Sequence, residues 1–207
     1  MSASVERRLL AAVSSAAQGD VLPVYRHWTD QALAGRPTLS DRQQASVRDV
    51  VDRRLTLIAE GSQAERQEVL STALAAFSAA GLRVLGAAPS DQAAKGLQEA
   101  AGIASGSLHL LDRRLAQSEL QLSRHDVLVI EAGQVHAKQI SRLLEAVSPS
   151  GARVVLVDFA TGPQPSALLN HVSRMINQIA PGGTALPNER RVPGTNKDLK
   201  PDSGLIW

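Results

Sequence analysis

The segment Glu60-Gly61-Ser62-Gln63-Ala64-Glu65-Arg66-Gln67-Glu68 stands where this chain could hold a phosphate. It joins an apolar run, LTLIA (55–59), to a long amphipathic run, so it is a strand-to-helix loop. Phosphate chemistry at such a loop needs glycines, so that backbone N–H groups surround the oxygens. It also needs a Lys for the β/γ charge and a Ser/Thr for magnesium. Gly61 is the one glycine of the loop, no Lys-Ser/Thr pair is present, and Glu60, Glu65 and Glu68 bring negative charge. Two like charges ~4 Å apart repel by about 1 kcal/mol in bulk water and by more near a protein surface. Arg66 offsets part of that repulsion. As a triphosphate cradle the loop fails.

Glu131 and Asp158 each close an apolar run, VLVIE and VVLVD, and so sit at strand ends. Such carboxylates can bind a metal, but no cradle delivers a magnesium nucleotide to them, and neither a metal nor a cofactor is expected. His27, His109, His125, His136 and His171 show no ligand spacing, and the chain has no cysteine. No Gly-x-Ser-x-Gly elbow supports a serine nucleophile. No catalytic residue is assigned.

The elements that position these groups follow from hydrophobic periodicity. With 207 residues and 43% hydrophobic content, one substantial core is expected, built from Leu, Val, Ile and Ala because aromatics are only 2%. Runs 55–59, 82–88, 126–133 and 152–159 read as buried strands. Segments 40–53, 64–81, 91–102, 105–121, 137–151 and 166–180 read as helices, with Ser40 an N-cap and Gly81 a C-terminal stop. Four strands alternating with helices give a parallel α/β sheet with helices on both faces. Ahead of it, residues 1–36 form a helical extension in which segments 4–17 and 21–35 pack together as a small lid or subdomain, bounded by Pro37. The α/β domain runs over 37–180. Residues 181–207, rich in Gly, Pro and charge, read as a flexible tail dispensable for folding, save that Leu205-Ile206-Trp207 could dock on an apolar groove. No run has membrane-spanning length and the N-terminus lacks a signal-peptide core, so a cytoplasmic protein is expected. The net charge of +2 and a pI near 9.4 permit a polyanionic partner without requiring one.

Leu39-Ser40-x-x-Gln43-x-Ala45-x-Val47, then AAGLRVLGAAPSDQAAKGLQEAAGIASGSLHLL, then DVLVIEAGQV, together resemble the RecA-like helicase domain of conjugative relaxase–helicases of the TraA/TraI type. The resemblance spans roughly residues 37–160. It implies a single P-loop NTPase-type lobe, with Gln43 matching the glutamine that reads adenine. The family's loop glycines, Lys and Thr fall on Glu60 to Gln67 and are replaced, Arg66 standing about where the Lys belongs. The family's Asp-Glu pair is reduced to Glu131. The next motif, normally Gly-Asp with a downstream Gln, is altered to Val157-Asp158-Phe159-Ala160-Thr161-Gly162-Pro163-Gln164. Gln43, Gly61, Arg66 and Glu131 are thus the remnant of a nucleotide site, and the pattern resembles the vestigial helicase segments within relaxases. The sequence also holds about one lobe, whereas a translocating helicase needs two.

The resemblance further implies that the loop after the second strand and the next helical region touch a DNA backbone. Those positions include Ser90, Gln92, Ser105 and Ser107, and Lys95, within a turn of Gln92, could add charge. Hydroxyls, amides and helix N-termini hold phosphates without sequence preference, although Ser90 and Ser105 are equally explained as N-caps. The arginine pairs Arg7-Arg8, Arg113-Arg114 and Arg190-Arg191 read as solvated surface. The expectation is a non-catalytic accessory of conjugative DNA transfer or DNA processing that binds single-stranded DNA or a protein partner. Two other readings stay open. One is a divergent ATPase using ATP and magnesium through Gln43, Arg66 and Glu131; the other is a protein–protein module or secretion substrate recognised through its tail.

Overall fold

A computed structural model describes residues 3–159 and 165–179. The altered motif from Ala160 to Gln164, Arg190-Arg191 and the tail with Leu205-Ile206-Trp207 lie outside the described residues. Five strands, β1 (Leu55–Ile58), β2 (Arg83–Ala88), β3 (Ser105–Ser107), β4 (Asp126–Glu131) and β5 (Arg153–Val157), form one parallel sheet in the order β1-β5-β4-β2-β3. Apart from Ser-Gly-Ser at β3, the strands are mainly apolar because helices cover both faces, and β5 is buried at every position.

The helices are α1 (Ala3–Ala17), α2 (Arg26–Ala34), α3 (Asp41–Asp52), α4 (Gln63–Ala79), α5 (Asp91–Ala101), α6 (Leu108–Ala116), α7 (Ala137–Val147) and α8 (Ala167–Ile179). One face of the sheet buries Leu9 and Val13 of α1, Leu111 of α6, Leu144 of α7 and Val172 of α8 in one core. The other buries Leu33 of α2, Val47 of α3, Phe77 of α4 and Leu97 of α5. Each connection that steps toward β3 therefore carries its helix on the α4 face, and each that steps back toward β1 carries it on the α7 face. That regularity is the single handedness of parallel crossovers.

Two expectations are corrected. The stretch 105–121 is not one helix: Ser105-Gly106-Ser107 pairs in parallel with Gly86-Ala87-Ala88, so among the described residues the sheet has five strands and not four. Gly86 makes this possible, since a Cβ there would lie 2.0 Å from Ser105 Oγ. The two N-terminal helices do not pack together as a lid, because α1 covers one face with α7 and α8 while α2 covers the other with α3 and α4. The strap between them is tied down from the sheet. Arg54 donates to the carbonyls of Gln18 and Ser148, and Arg153 Nη2 donates to Leu22 O at 2.7 Å.

Candidate functional site

The loop between β1 and α4 begins at the carboxyl end of the sheet, where open α/β sheets bind their ligands. Its turn needs Gly61, whose φ of +87° lies in the region that other residues rarely adopt. Ser62 then caps α4. Its Oγ accepts from Glu65 N at 3.3 Å, while its own N–H donates to Glu65 Oε2 at 2.6 Å. The Ser62 backbone N–H first, and the Ser62 side chain next, hold the Glu65 carboxyl below the usual carboxylate range. A negative group of this chain thus takes the end of α4 at which a helix favours an anion. Arg66 turns the opposite way. Its side chain is 1% exposed, and its Nη1 donates to Gly61 O at 2.6 Å and to Ala59 O at 3.4 Å. A phosphate cradle points N–H groups inward, whereas this loop points carbonyls at a cation. Glu60 stays exposed and pairs with Arg42.

Glu131 ends β4, and its Oε1 accepts from Gly133 N at 3.1 Å. Burial pushes its carboxyl up, the Gly133 bond opposes this, and nearby Asp158 adds to the rise. A Cβ on Gly133 would lie 2.5 Å from Asp158 Oδ1 and 2.9 Å from Glu131 Oε1, so the two carboxylates flank one glycine at adjacent strand ends. Among the described residues, no group of three or more His, Asp or Glu side chains is arranged to hold a metal ion.

Gln43 belongs to a second capping box, at α3. Its Oε1 accepts from Ser40 N at 2.8 Å and from Ser40 Oγ at 2.9 Å, so the amide oxygen is committed inside the helix cap. Gln43, Gly61 and Glu65 border a cavity of about 290 Å³ that runs along β1 between α3 and α8. Arg66 and Glu131 stand apart from it. Glu131 lines a second cavity of about 370 Å³ with Gln63, Gln67, Ser90, Gln134 and Phe159. Of the residues expected to mark a nucleotide site, Gln43 and Gly61 border the first hollow, Glu131 borders the second, and Arg66 lines neither.

The DNA candidates divide as well. Ser90 caps α5, its Oγ accepting from Ala93 N at 3.1 Å, and Gln92 and Lys95 are exposed on the helix that follows. Ser107 pairs with Ala88 in register, which puts it beside the Ser90 loop at the carboxyl edge, but its side chain is buried. Ser105 is no helix cap. It lies within β3, half-buried, and its Oγ donates to Ile103 O at 3.0 Å. Gln63, Gln67 and Gln134 were not singled out by sequence, and isolated glutamines carry no signal that could have found them.

A family model described as an AAA domain matches residues 38–158. The chain belongs to the AAA domain family. Its fold is a single RecA-like lobe of the helicase type found in TraA proteins. It is 32% identical over 130 residues to a probable conjugal transfer protein TraA of Sinorhizobium fredii, covering 62% of this chain and 12% of that protein. A conjugal transfer protein TraA of Agrobacterium fabrum is 32% identical over 121 residues, covering 58% of this chain and 11% of its own length. One of Rhizobium radiobacter is 30% identical over 130 residues, covering 62% and 12%. The chain thus spans about one-eighth of these relatives at the matched region. No described helix is long and apolar enough to cross a membrane.

Proposed function

We propose that this protein is a non-catalytic helicase-like lobe serving conjugative DNA transfer, and that it binds single-stranded DNA weakly at the carboxyl edge of β2 and β3. The relatives' role in conjugal transfer supports the process. The observation that carries the loss of catalysis is the reversed polarity of the β1–α4 loop. Arg66 lies beneath the loop on the Ala59 and Gly61 carbonyls, and Glu65 fills the N-terminus of α4. A triphosphate arriving there meets carboxylates and carbonyl oxygens.

For DNA, the exposed Ser90, Gln92 and Lys95 offer backbone-directed contacts with a single cation among them, so affinity is low and indifferent to sequence. Ser105 and Ser107 support the edge from within β3. Oligonucleotide binding followed by fluorescence anisotropy at several salt concentrations tests this. Single strands bind better than duplex, with a shallow salt slope of roughly one to three phosphates. Gln92→Glu with Lys95→Glu abolishes binding and leaves the melting temperature within about 2 °C, as expected of exposed positions. If the double variant binds like the parent, the site lies elsewhere. If the parent binds no oligonucleotide at low salt, the DNA reading fails and a protein partner takes its place.

A further inference from the structure

The cavity of about 370 Å³ bordered by Glu131 sits at a break in the winding of the sheet. Strands β4 and β2 are neighbours, yet α5 leaves β2 on the face of α4 while α7 leaves β4 on the other face. Strand ends that part in this way open a crevice at the carboxyl edge, where open α/β sheets take their ligands. The hollow uses that crevice. Pro89 and Ser90 after β2, Glu131 at the end of β4 and Phe159 after β5 all border it. Its volume is at the small end of the ~300–1,000 Å³ usual for small-molecule sites, which suits one ring system rather than an extended chain.

Its walls differ in chemistry. On one side α5 presents Ala93, Gly96 and Ala100, spaced i, i+3 and i+7 along one helical face. None carries more than a methyl group, and a Cβ added at Gly96 would meet nothing within 4 Å beyond the backbone of its own helix. That wall is flat and the space before it is open. The remaining lining includes Gln63, Gln67, Gln134 and Glu131. Gln67 Nε2 donates to Ala100 O at 3.0 Å and so ties α4 to α5. The N–H groups of Gly133 and Phe159 both donate to the Glu131 carboxyl, so its position is fixed and its charge is partly met within the chain. No Lys, Arg or His borders the hollow among the described residues, so an anion would be desolvated there without a counter-charge. An aliphatic ligand would strip water from the amides and replace none of their hydrogen bonds. What fits is a flat, uncharged ring with apolar faces and an edge that both donates and accepts. Side-chain amides recognise such edges on bases. We propose that this crevice binds a neutral nucleobase, carried by a free nucleoside or by one residue of a single strand, with a ring face on the α5 wall and its edge on the glutamines. The proposal goes beyond the DNA reading, because a free nucleoside needs no contact at Gln92 or Lys95.

Titration of the full chain with adenosine, guanosine, cytidine and uridine, followed by saturation-transfer NMR and calorimetry, tests the proposal. At least one nucleoside binds, and its triphosphate binds about tenfold or more weakly because the hollow offers no cation. Gly96→Leu fills the space before the α5 wall and weakens the nucleoside by about tenfold or more. Leucine is the better helix former, so the melting temperature does not fall. Gln134→Ala, at an exposed position, also weakens binding and leaves the fold intact. The same Gly96→Leu chain separates the two sources. If the base belongs to a strand, oligonucleotide anisotropy falls with nucleoside binding; if the ligand is a free nucleoside, the oligonucleotide is unaffected. Gln92→Glu with Lys95→Glu leaves nucleoside binding unchanged, so this proposal and the DNA reading can fail separately. The proposal is overturned if none of the four nucleosides binds at millimolar concentration, if a triphosphate outbinds its nucleoside, or if Gly96→Leu binds like the parent.

Discussion

Glu131 is a half-buried carboxylate whose charge the fold disfavours. Its pKa is raised above the unfolded value, so the folded state holds the proton more tightly, and stability falls as pH rises through the raised value. Glu131→Gln removes that penalty. The variant melts higher than the parent at pH 8, by no more than ~2–4 °C because solvent screens a half-exposed group, and the two converge near pH 4. A parent curve that rises with pH at this position rejects the assignment. The capping residues have their own test. Ser62→Ala loses the cap of α4 and costs about 1 kcal/mol in denaturant unfolding. Ser40 was legible as the cap of α3, whereas the boxes that pair Ser40 with Gln43 and Ser62 with Glu65 come from the structure. What the sequence could not say is which partner Gln43 chooses. A glutamine amide serves a purine edge or a neighbouring cap equally well, and only the rotamer decides.

At the scale of elements, four strands were legible because each is a mainly apolar run, most of it buried between the two helical layers. β3 was not, since Ser-Gly-Ser has neither apolar content nor strand propensity. It is a strand because β2 offers Gly86 opposite Ser105, a close approach that only two placed backbones reveal. Gly86→Ala would set a Cβ 2.0 Å from Ser105 Oγ and 3.1 Å from Leu97 Cδ2. It costs about 1–3 kcal/mol by overpacking, and Ser105→Gly in the same chain recovers part of that loss. Two variants whose costs simply add would exclude the contact. Arg153 is the corresponding anchor of the N-terminal strap. Burial pushes its guanidinium down to about 10, against the pull of Asp52, and it lies 5.5 Å over the Phe77 ring. Arg153→Ala empties a buried site and frees Leu22 O, at a cost of about 2–5 kcal/mol. Arginine is seldom fully buried, and its position at the start of a strand between β1 and β4 brings this one in.

For the whole molecule, the sheet of a RecA-like lobe stands beside a β1–α4 loop in which Glu65 caps α4 and Arg66 is buried on the Ala59 and Gly61 carbonyls. Sheet and loop depend on different residues. The apolar strands make the core, and Glu60 to Glu68 make only a turn and a helix start, so the loop can change chemistry without loss of fold. Nucleotide binding separates the two readings in one measurement. A ligand present at 100 times its Kd stabilises by about 2.7 kcal/mol, which in a domain of this size raises the melting temperature by roughly 5–10 °C. Magnesium with ATP or ADP at millimolar concentration is expected to leave the melting curve of this protein unmoved, and no phosphate is released. The charge balance argues for this: Glu65 already satisfies the end of α4, and Arg66 is held under the loop by the carbonyls of Ala59 and Gly61. A rise of several degrees with nucleotide, or phosphate release that disappears in Glu131→Gln, would restore the ATPase reading. It would also require Arg66 to leave its buried position, which a nucleotide-dependent change in the exchange of the Gly61 and Ser62 amides would report.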